Sequence, residues 1–279
     1  MIRRGVLYMV VSALGFSVMS MLVKVVSPRL PTGEIVLVRA IITLALSYAM
    51  VRRADLAPWG TQRARLLLRG LLGFGGLAGY YLALAHLPIA DATVMQNTIP
   101  LLTAVLAWWL LGERVGWSVA IALAFGLAGV TLVVRPHAGG IALDPVGVAA
   151  ALGGAVCSAI AYVTVRKLAR TEHPLVIVFY FPLVATPLAL PWALAAWVWP
   201  SWSDAGLLLA IGAATQVGQV FLTMGLSLER AASATSINYL QVAFAMGWQL
   251  LVFGDAPALT TIAGAALILI GTIVTAARR

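Results

Sequence analysis

Long apolar runs separated by short polar breaks occupy this chain from end to end. A helix that crosses a bilayer needs about 20 mostly apolar residues. Runs of that kind predict spans at Gly5–Val26, Gly33–Val51, Leu66–Ala85, Ala90–Leu111 and Gly116–Val134. A second set follows at Pro145–Val165, Pro174–Trp197, Ala205–Leu226, Ala231–Phe253 and Ala258–Ala277. The breaks carry turn residues, as in Ser27-Pro28, Pro31-Thr32-Gly33, His137-Ala138-Gly139-Gly140 and Gly254-Asp255-Ala256-Pro257. None is long enough for a domain outside the membrane. The predicted fold class is therefore all-α integral membrane, with ten transmembrane helices. Met1 to Val26 begins like a signal peptide, but its apolar body exceeds the usual 7–15 residues or so and no small-x-small site closes it, so it is read as a retained first helix.

The pattern repeats. Adding 142 to a residue number carries Gly5 onto Gly147, Gly70 onto Gly212, Gly76 onto Gly218, Gly112 onto Gly254 and Gly129 onto Gly271. Ala90, Ala92 and Thr93 fall on Ala232, Ala234 and Thr235, and the exit Gly112-Glu113 falls on Gly254-Asp255. Two five-helix repeats are expected, at residues 1–137 and 143–279, forming one membrane domain. Five is odd, so the second half enters the bilayer from the opposite side. Two inverted-topology repeats of this kind are an architecture of alternating-access transporters.

Composition agrees with the pattern. Of 279 residues, 62% are hydrophobic and 10% charged, against about 25% charged in soluble domains. The net charge of +9 raises nucleic acid as a partner, and its distribution answers the question. The basic residues cluster between the apolar runs, as loops on the cytoplasmic face of a membrane do. With the N-terminus inside, that side holds Arg3, Arg4, Arg52, Arg53, Arg63, Arg65, Arg69, Arg114, Arg166, Lys167, Arg170, Arg230, Arg278 and Arg279. Only Lys24, Arg29 and Arg135 fall outside, with Arg39 left within a span. Both termini are thus expected in the cytoplasm, and nucleic acid is not an expected partner. The single cysteine, Cys157, permits no intrachain disulfide and no cysteine-based metal site.

Within a membrane the informative residues are the polar ones. The fourth span carries Thr93, Gln96, Pro100 and Thr103 on one face, bordered by Asn97. Its mate, the ninth, carries Thr235, Asn238 and Gln249, bordered by Tyr239 and Gln241. Pro100 lacks an N–H, which leaves the Gln96 carbonyl without its helical partner. The eighth span aligns Gly212, Gln216, Gln219 and Thr223, where the third has Gly70, Phe74, Leu77 and Tyr81 beside Tyr80. The first and sixth align Ser12, Phe16 and Ser20 with Gly154, Ser158 and Tyr162. These stripes either surround a substrate or tie helices together. Arg39 either binds a substrate carboxylate or pairs with Glu34 or a helix-end carbonyl. The acids and histidines all lie at helix ends or in loops, and no arrangement for hydrolysis or metal binding occurs. Pro182, Pro187 and Pro191 punctuate the seventh span and predict a bent or broken helix that moves during gating.

The ten short spans, the early Arg39, the run Ala85-His86-Leu87-Pro88-Ile89-Ala90-Asp91-Ala92 and the Leu111-Gly112-Glu113-Arg114 exit resemble the EamA-type branch of the drug/metabolite transporter superfamily. Within that branch the chain is most similar to bacterial exporters of aromatic and other amino acids. The resemblance implies a central cavity, peripheral fifth and tenth helices, and a structural role for Arg39.

The expected function is export of small, overall neutral metabolites, amino acids including aromatic ones, across a bacterial inner membrane. Gln96, Asn97, Gln216, Gln219 and Asn238 would hold the polar head, while Phe16, Tyr81, Tyr162 and Trp248 shape the side-chain pocket, with Tyr80, Ser158 and Tyr239 as further substrate-binding candidates. Pro100, Pro182 and Pro187 are the gating candidates. The partners are a small-molecule substrate and the lipid bilayer, without cofactor or metal. Transporters of other solutes, a membrane enzyme and a non-transporting subunit are the alternatives. Phosphate esters should require buried cations, of which the sequence predicts only Arg39, and cationic drugs a buried Glu, which it does not predict.

Overall fold

The computed structural model describes residues 4–86, 95–114, 116–134 and 144–254, with 262–264, 266–267 and 269–271 beyond them. The described chain is helical, without strands. Its elements are α1 (Arg4–Val26), α2 (Thr32–Arg53), α3 (Arg63–His86), α4 (Ile99–Leu111), α5 (Trp117–Val134), α6 (Pro145–Leu168), α7 (Pro174–Leu194), α8 (Trp202–Leu228), α9 (Ala231–Ile237) and α10 (Leu240–Phe253). Six of them, α1, α2, α3, α6, α7 and α8, are long and apolar enough to cross a membrane. The first part of the expected fourth span, with Asp91 and Thr93, and more than half of the tenth lie outside the described residues.

The surface is that of a protein dissolved in lipid. Leu7, Ile41, Leu67, Leu209 and Leu251 point outward, where water would penalise them. Exposed tryptophans collect at both ends of the bundle. Trp59, Trp108, Trp109 and Trp117 lie at the end carrying most of the arginines, and Trp199 and Trp202 at the other. Such belts mark the two membrane–water interfaces.

Helix ends are closed locally, because a bilayer offers no water to orphaned backbone groups. Ser201 and Asp204 form a reciprocal capping box on α8, and the Asp144 carboxylate accepts from Val146 N–H at the start of α6. Gly112 and Gly254 follow α4 and α10 with φ of 64° and 70°. Each is a left-handed residue at a helix exit, where glycine is favoured. They are also 142 apart.

Packing shows the same offset. A Cβ on Gly70 would run into Val184, and one on Gly212 into Ile42, so both members of the first contact map onto the second. A Cβ on Gly76 would meet Ser158, and one on Gly218 would meet Phe16, again mates of one another. At these glycines α3 lies close against α6 and α7, and α8 close against α1 and α2, the small-residue contact that substitutes for a hydrophobic drive in lipid. Direction completes the picture. Gly5, opening α1, abuts Glu229 just past α8, while Arg166 near the end of α6 donates to the Leu226 and Ser227 carbonyls at the end of α8. The mates α1 and α6 therefore run in opposite directions through the bundle.

Candidate functional site

The fourth and ninth spans are not the continuous helices that their apolar runs predict. Residues 95–96 are helical, Asn97 and Thr98 form a turn, and α4 starts at Ile99. Pro100 accordingly sits in the first turn of α4 rather than inside a helix, a position that tolerates a missing N–H. The ninth span breaks likewise at Asn238 and Tyr239, between α9 and α10, without any proline. The two breaks touch: Tyr239 OH donates to the Asn97 carbonyl at 3.1 Å. Beside them the Gln96 Oε1 and Asn238 Oδ1 oxygens are buried without a hydrogen-bond partner. An orphaned amide oxygen is costly inside a protein. These two stand at repeat-related positions, each next to a helix break.

A buried cation stands in α3. The basic-loop assignment of Arg69 is incorrect, because α3 begins at Arg63 and Arg69 is six residues in, about 9 Å along the axis. It is 3% exposed. Its Nη2 donates to Gln219 Oε1 at 3.2 Å, its guanidinium lies 4.8 Å from the centre of the Phe181 ring, and the Tyr162 phenol is within electrostatic reach. Its Nε and Nη1 have no hydrogen-bond partner among the described residues. Gln219 and Tyr162 were legible as site residues. Arg69 and Phe181 were not, although the predicted span Leu66–Ala85 already enclosed Arg69.

Arg39 and Glu34 do not pair. Five residues apart, they point about 140° from each other around α2. Glu34 Oε2 accepts from Val198 N–H at 3.0 Å, and Arg39, buried, has no ion pair among the described residues. Gln216 faces α2, accepting from Ser47 at 3.1 Å and lying 3.4 Å from the Met50 sulfur. Trp248 Nε1 donates to Ser17 Oγ at 3.1 Å, joining α10 to α1. Tyr81 stacks edge-on against Trp192 with centroids 5.6 Å apart, and Tyr80 packs with Ala151 and Met95. Phe16 and Ser158 serve the close helix contacts. Helix α7 passes unbroken through Pro182, Pro187 and Pro191. Pro182 is buried while Pro187 and Pro191 are exposed toward lipid.

The ends of the bundle are clamped. Arg166 Nε meets Glu113 Oε1 at 3.1 Å, and Glu113 Oε2 accepts from Ala231 N–H at 2.9 Å. Glu172 takes three hydrogen bonds on one oxygen, from Thr61 N–H, Thr61 Oγ1 and Gln62 N–H. Burial alone would push this carboxyl up, and those bonds outweigh it and hold it below its ordinary value. At the other end Arg29 meets Asp204 at 2.7 Å and His86 meets Asp144 at 2.7 Å. A cavity of about 730 Å³ lies between α4 and α5, lined by Leu101, Val105, Trp108 and Leu123. Apart from Arg114 its wall is apolar, and none of the expected site residues reaches it.

A multi-pass helical bundle with orphaned polar groups inside is the build of a membrane transporter. The chain belongs to the EamA-like transporter family, which matches it over residues 3–135 and again over 145–277, two stretches offset by the same 142. It is similar to the pseudopaline exporter of Pseudomonas aeruginosa, at 36% identity over 98% of this chain and 96% of that protein. It is also similar to an S-adenosylmethionine uptake transporter of Rickettsia prowazekii, at 27% identity over 74% of this chain and 69% of that one. A solved crystal structure superposes with a TM-score of 0.80 at 22% identity, covering 95% of each chain, and shows the same fold. The protein is thus a membrane transporter of a small molecule within the drug/metabolite superfamily.

Proposed function

We propose that this protein exports small amino-acid-type metabolites, aromatic ones among them, across a bacterial inner membrane. It does so by alternating access between two inverted halves, residues 1–137 and 143–279, with both termini in the cytoplasm. The carrying observation is the pair of helix breaks at Asn97-Thr98 and Asn238-Tyr239, each beside an orphaned amide oxygen. Discontinuous helices at repeat-related positions are how many transporters offer backbone and amide groups to a solute near mid-bilayer. Tyr162 packs against the cluster of Ile99, Ala155 and Ala159 beside the first break, and similarity to the pseudopaline exporter supports outward movement. Among the described residues every carboxylate and histidine lies toward a helix end or in a loop, so transport is facilitated or driven by the membrane potential. The premise that the spans hold no cation besides Arg39 fails at Arg69, and an overall neutral cargo is no longer required.

Counterflow of a labelled amino-acid panel into proteoliposomes tests the reading. Accumulation of label against a preloaded amino acid, abolished by the double substitution of Gln96 and Asn238 by Leu, is the expected result. Equal uptake by empty liposomes across the panel refutes it.

A further inference from the structure

Arg69 is a buried charge with no ion pair among the described residues. Burying an ion without a partner is expensive, and native proteins normally pair it or leave it in water. Here the guanidinium is 3% exposed, and two of its three nitrogens are buried donors with no acceptor. Its third nitrogen reaches only a neutral amide, Gln219. No described carboxylate pairs with it, since Glu113 is held by Arg166 and Ala231, Glu172 by Thr61 and Gln62, and Asp204 by Arg29 and Ser201. The side chain is nevertheless held in place. Phe181 covers one face of the guanidinium, a contact that steadies a cation without neutralising it, and Gly73 clears the space beside Phe181 and Nη1. Four helices meet there: α3 with Arg69, α6 with Tyr162, α7 with Phe181 and α8 with Gln219.

We infer that Arg69 is the anion-binding subsite of the transport pathway and takes a carboxylate of the cargo on its unpartnered donors. A guanidinium suits this role because its planar N–H groups match a carboxylate's lone pairs. Arg39 is a second buried cation, without an ion pair among the described residues. A zwitterion brings no net charge to offset either of them, so the cargo class is an amino-acid derivative carrying more carboxylates than ammonium groups. This inference rests on the export reading above.

The test compares wild type with Arg69→Gln and Arg69→Lys in a bacterial host. Solutes in the spent medium are profiled by mass spectrometry against an empty-vector control, and thermal stability is measured on each purified protein. Solutes released by wild type carry at least two carboxylates. Arg69→Gln lowers their release on the order of tenfold or more, as expected for losing hydrogen bonds to a charged group. Arg69→Lys restores part of it, and the melting temperature of Arg69→Gln is equal to wild type or higher. Three outcomes overturn the inference while leaving export standing: released solutes without an excess carboxylate, wild-type release by Arg69→Gln, or a loss of release matched by a collapse in melting temperature. Release indistinguishable from the empty vector overturns the export reading and this inference together.

Discussion

Tyr239 donates its phenolic hydrogen to the backbone carbonyl of Asn97 at 3.1 Å, and these two residues are mates under the 142-residue offset. Positions exchanged by a two-fold operation touch each other only beside its axis. The bond therefore locates the axis between the interruptions of the fourth and ninth spans. A carbonyl left open at a helix break needs a donor, and Tyr239, buried against Gly126, supplies one. If the halves rock about this axis, the bond joins the parts that move least.

Tyr239→Phe tests that role. It removes one neutral hydrogen bond, a cost of about 1 kcal/mol, and leaves the ring packing intact. We expect a melting temperature lowered by a few degrees and a transport rate reduced several-fold, with affinity little changed. An unaltered rate at a lowered melting temperature reduces the bond to a structural tie.

Gln96 and Asn238 carry the next prediction. Their amide oxygens are buried and unpartnered, so Leu at either position removes no bond within the protein. Substrate affinity should fall by about 1–3 kcal/mol per site, roughly 5- to 150-fold, for a lost hydrogen bond to the head group. Stability should hold or rise. Gln216 is the contrast, since its amide is committed to Ser47 and Met50. Gln216→Leu should lower the melting temperature and leave affinity near wild type. The opposite ranking of these variants contradicts the placement of the substrate.

Much of this was legible in the chain because lipid makes hydrophobic run length informative. Spans one to three and six to eight reappear as helices, and the offset read from Gly70 and Gly76 reappears as contacts with Val184 and Ser158. The breaks in the fourth and ninth spans were not legible. Asn97 and Asn238 sit within apolar runs, and an interruption closed by tertiary hydrogen bonds leaves no periodic trace. Charge was misread at Arg69 because a cation three residues inside the span drawn from Leu66 was grouped with its neighbours Arg63 and Arg65 in the basic cluster. Neither could spacing show that Glu34 turns toward Val198, a partner 164 residues away.

Glu113 and Arg166 form a clamp at the arginine-rich end. Arg166 also holds the last carbonyls of α8, and Glu113 holds the first N–H of α9, so one pair ties the exits of three helices to the entrance of a fourth. The side chains are 10% and 19% exposed, and screening by water is limited. Replacing either residue alone by Ala strands a charge and should cost about 3 kcal/mol or more. The double substitution should cost less than the sum of the two, giving a coupling of about 1–3 kcal/mol. Additive losses in the cycle would show that the pair contributes nothing as a pair.

Glu172 gives the clamp between the loop before α3 and the loop before α7 a pH signature. Hydrogen bonds from Thr61 and Gln62 hold its carboxyl below the ordinary value of 4.5. A group whose folded value is depressed contributes stability that is fully present above its unfolded value. That contribution disappears as pH falls through the folded value, when protonation takes one lone pair from an oxygen accepting three hydrogen bonds. The window therefore lies below pH 4.5, and between neutrality and that point Glu172 adds no pH dependence. Glu172→Ala should lower stability at neutral pH by about 2–3 kcal/mol, the cost of unmaking bonds to a charged acceptor. It should also remove part of the fall in melting temperature seen in acid, so that wild type and variant converge as the pH drops. Parallel curves separated by a constant gap down to the acid limit would show that the carboxylate's charge has no part in holding the two loops together.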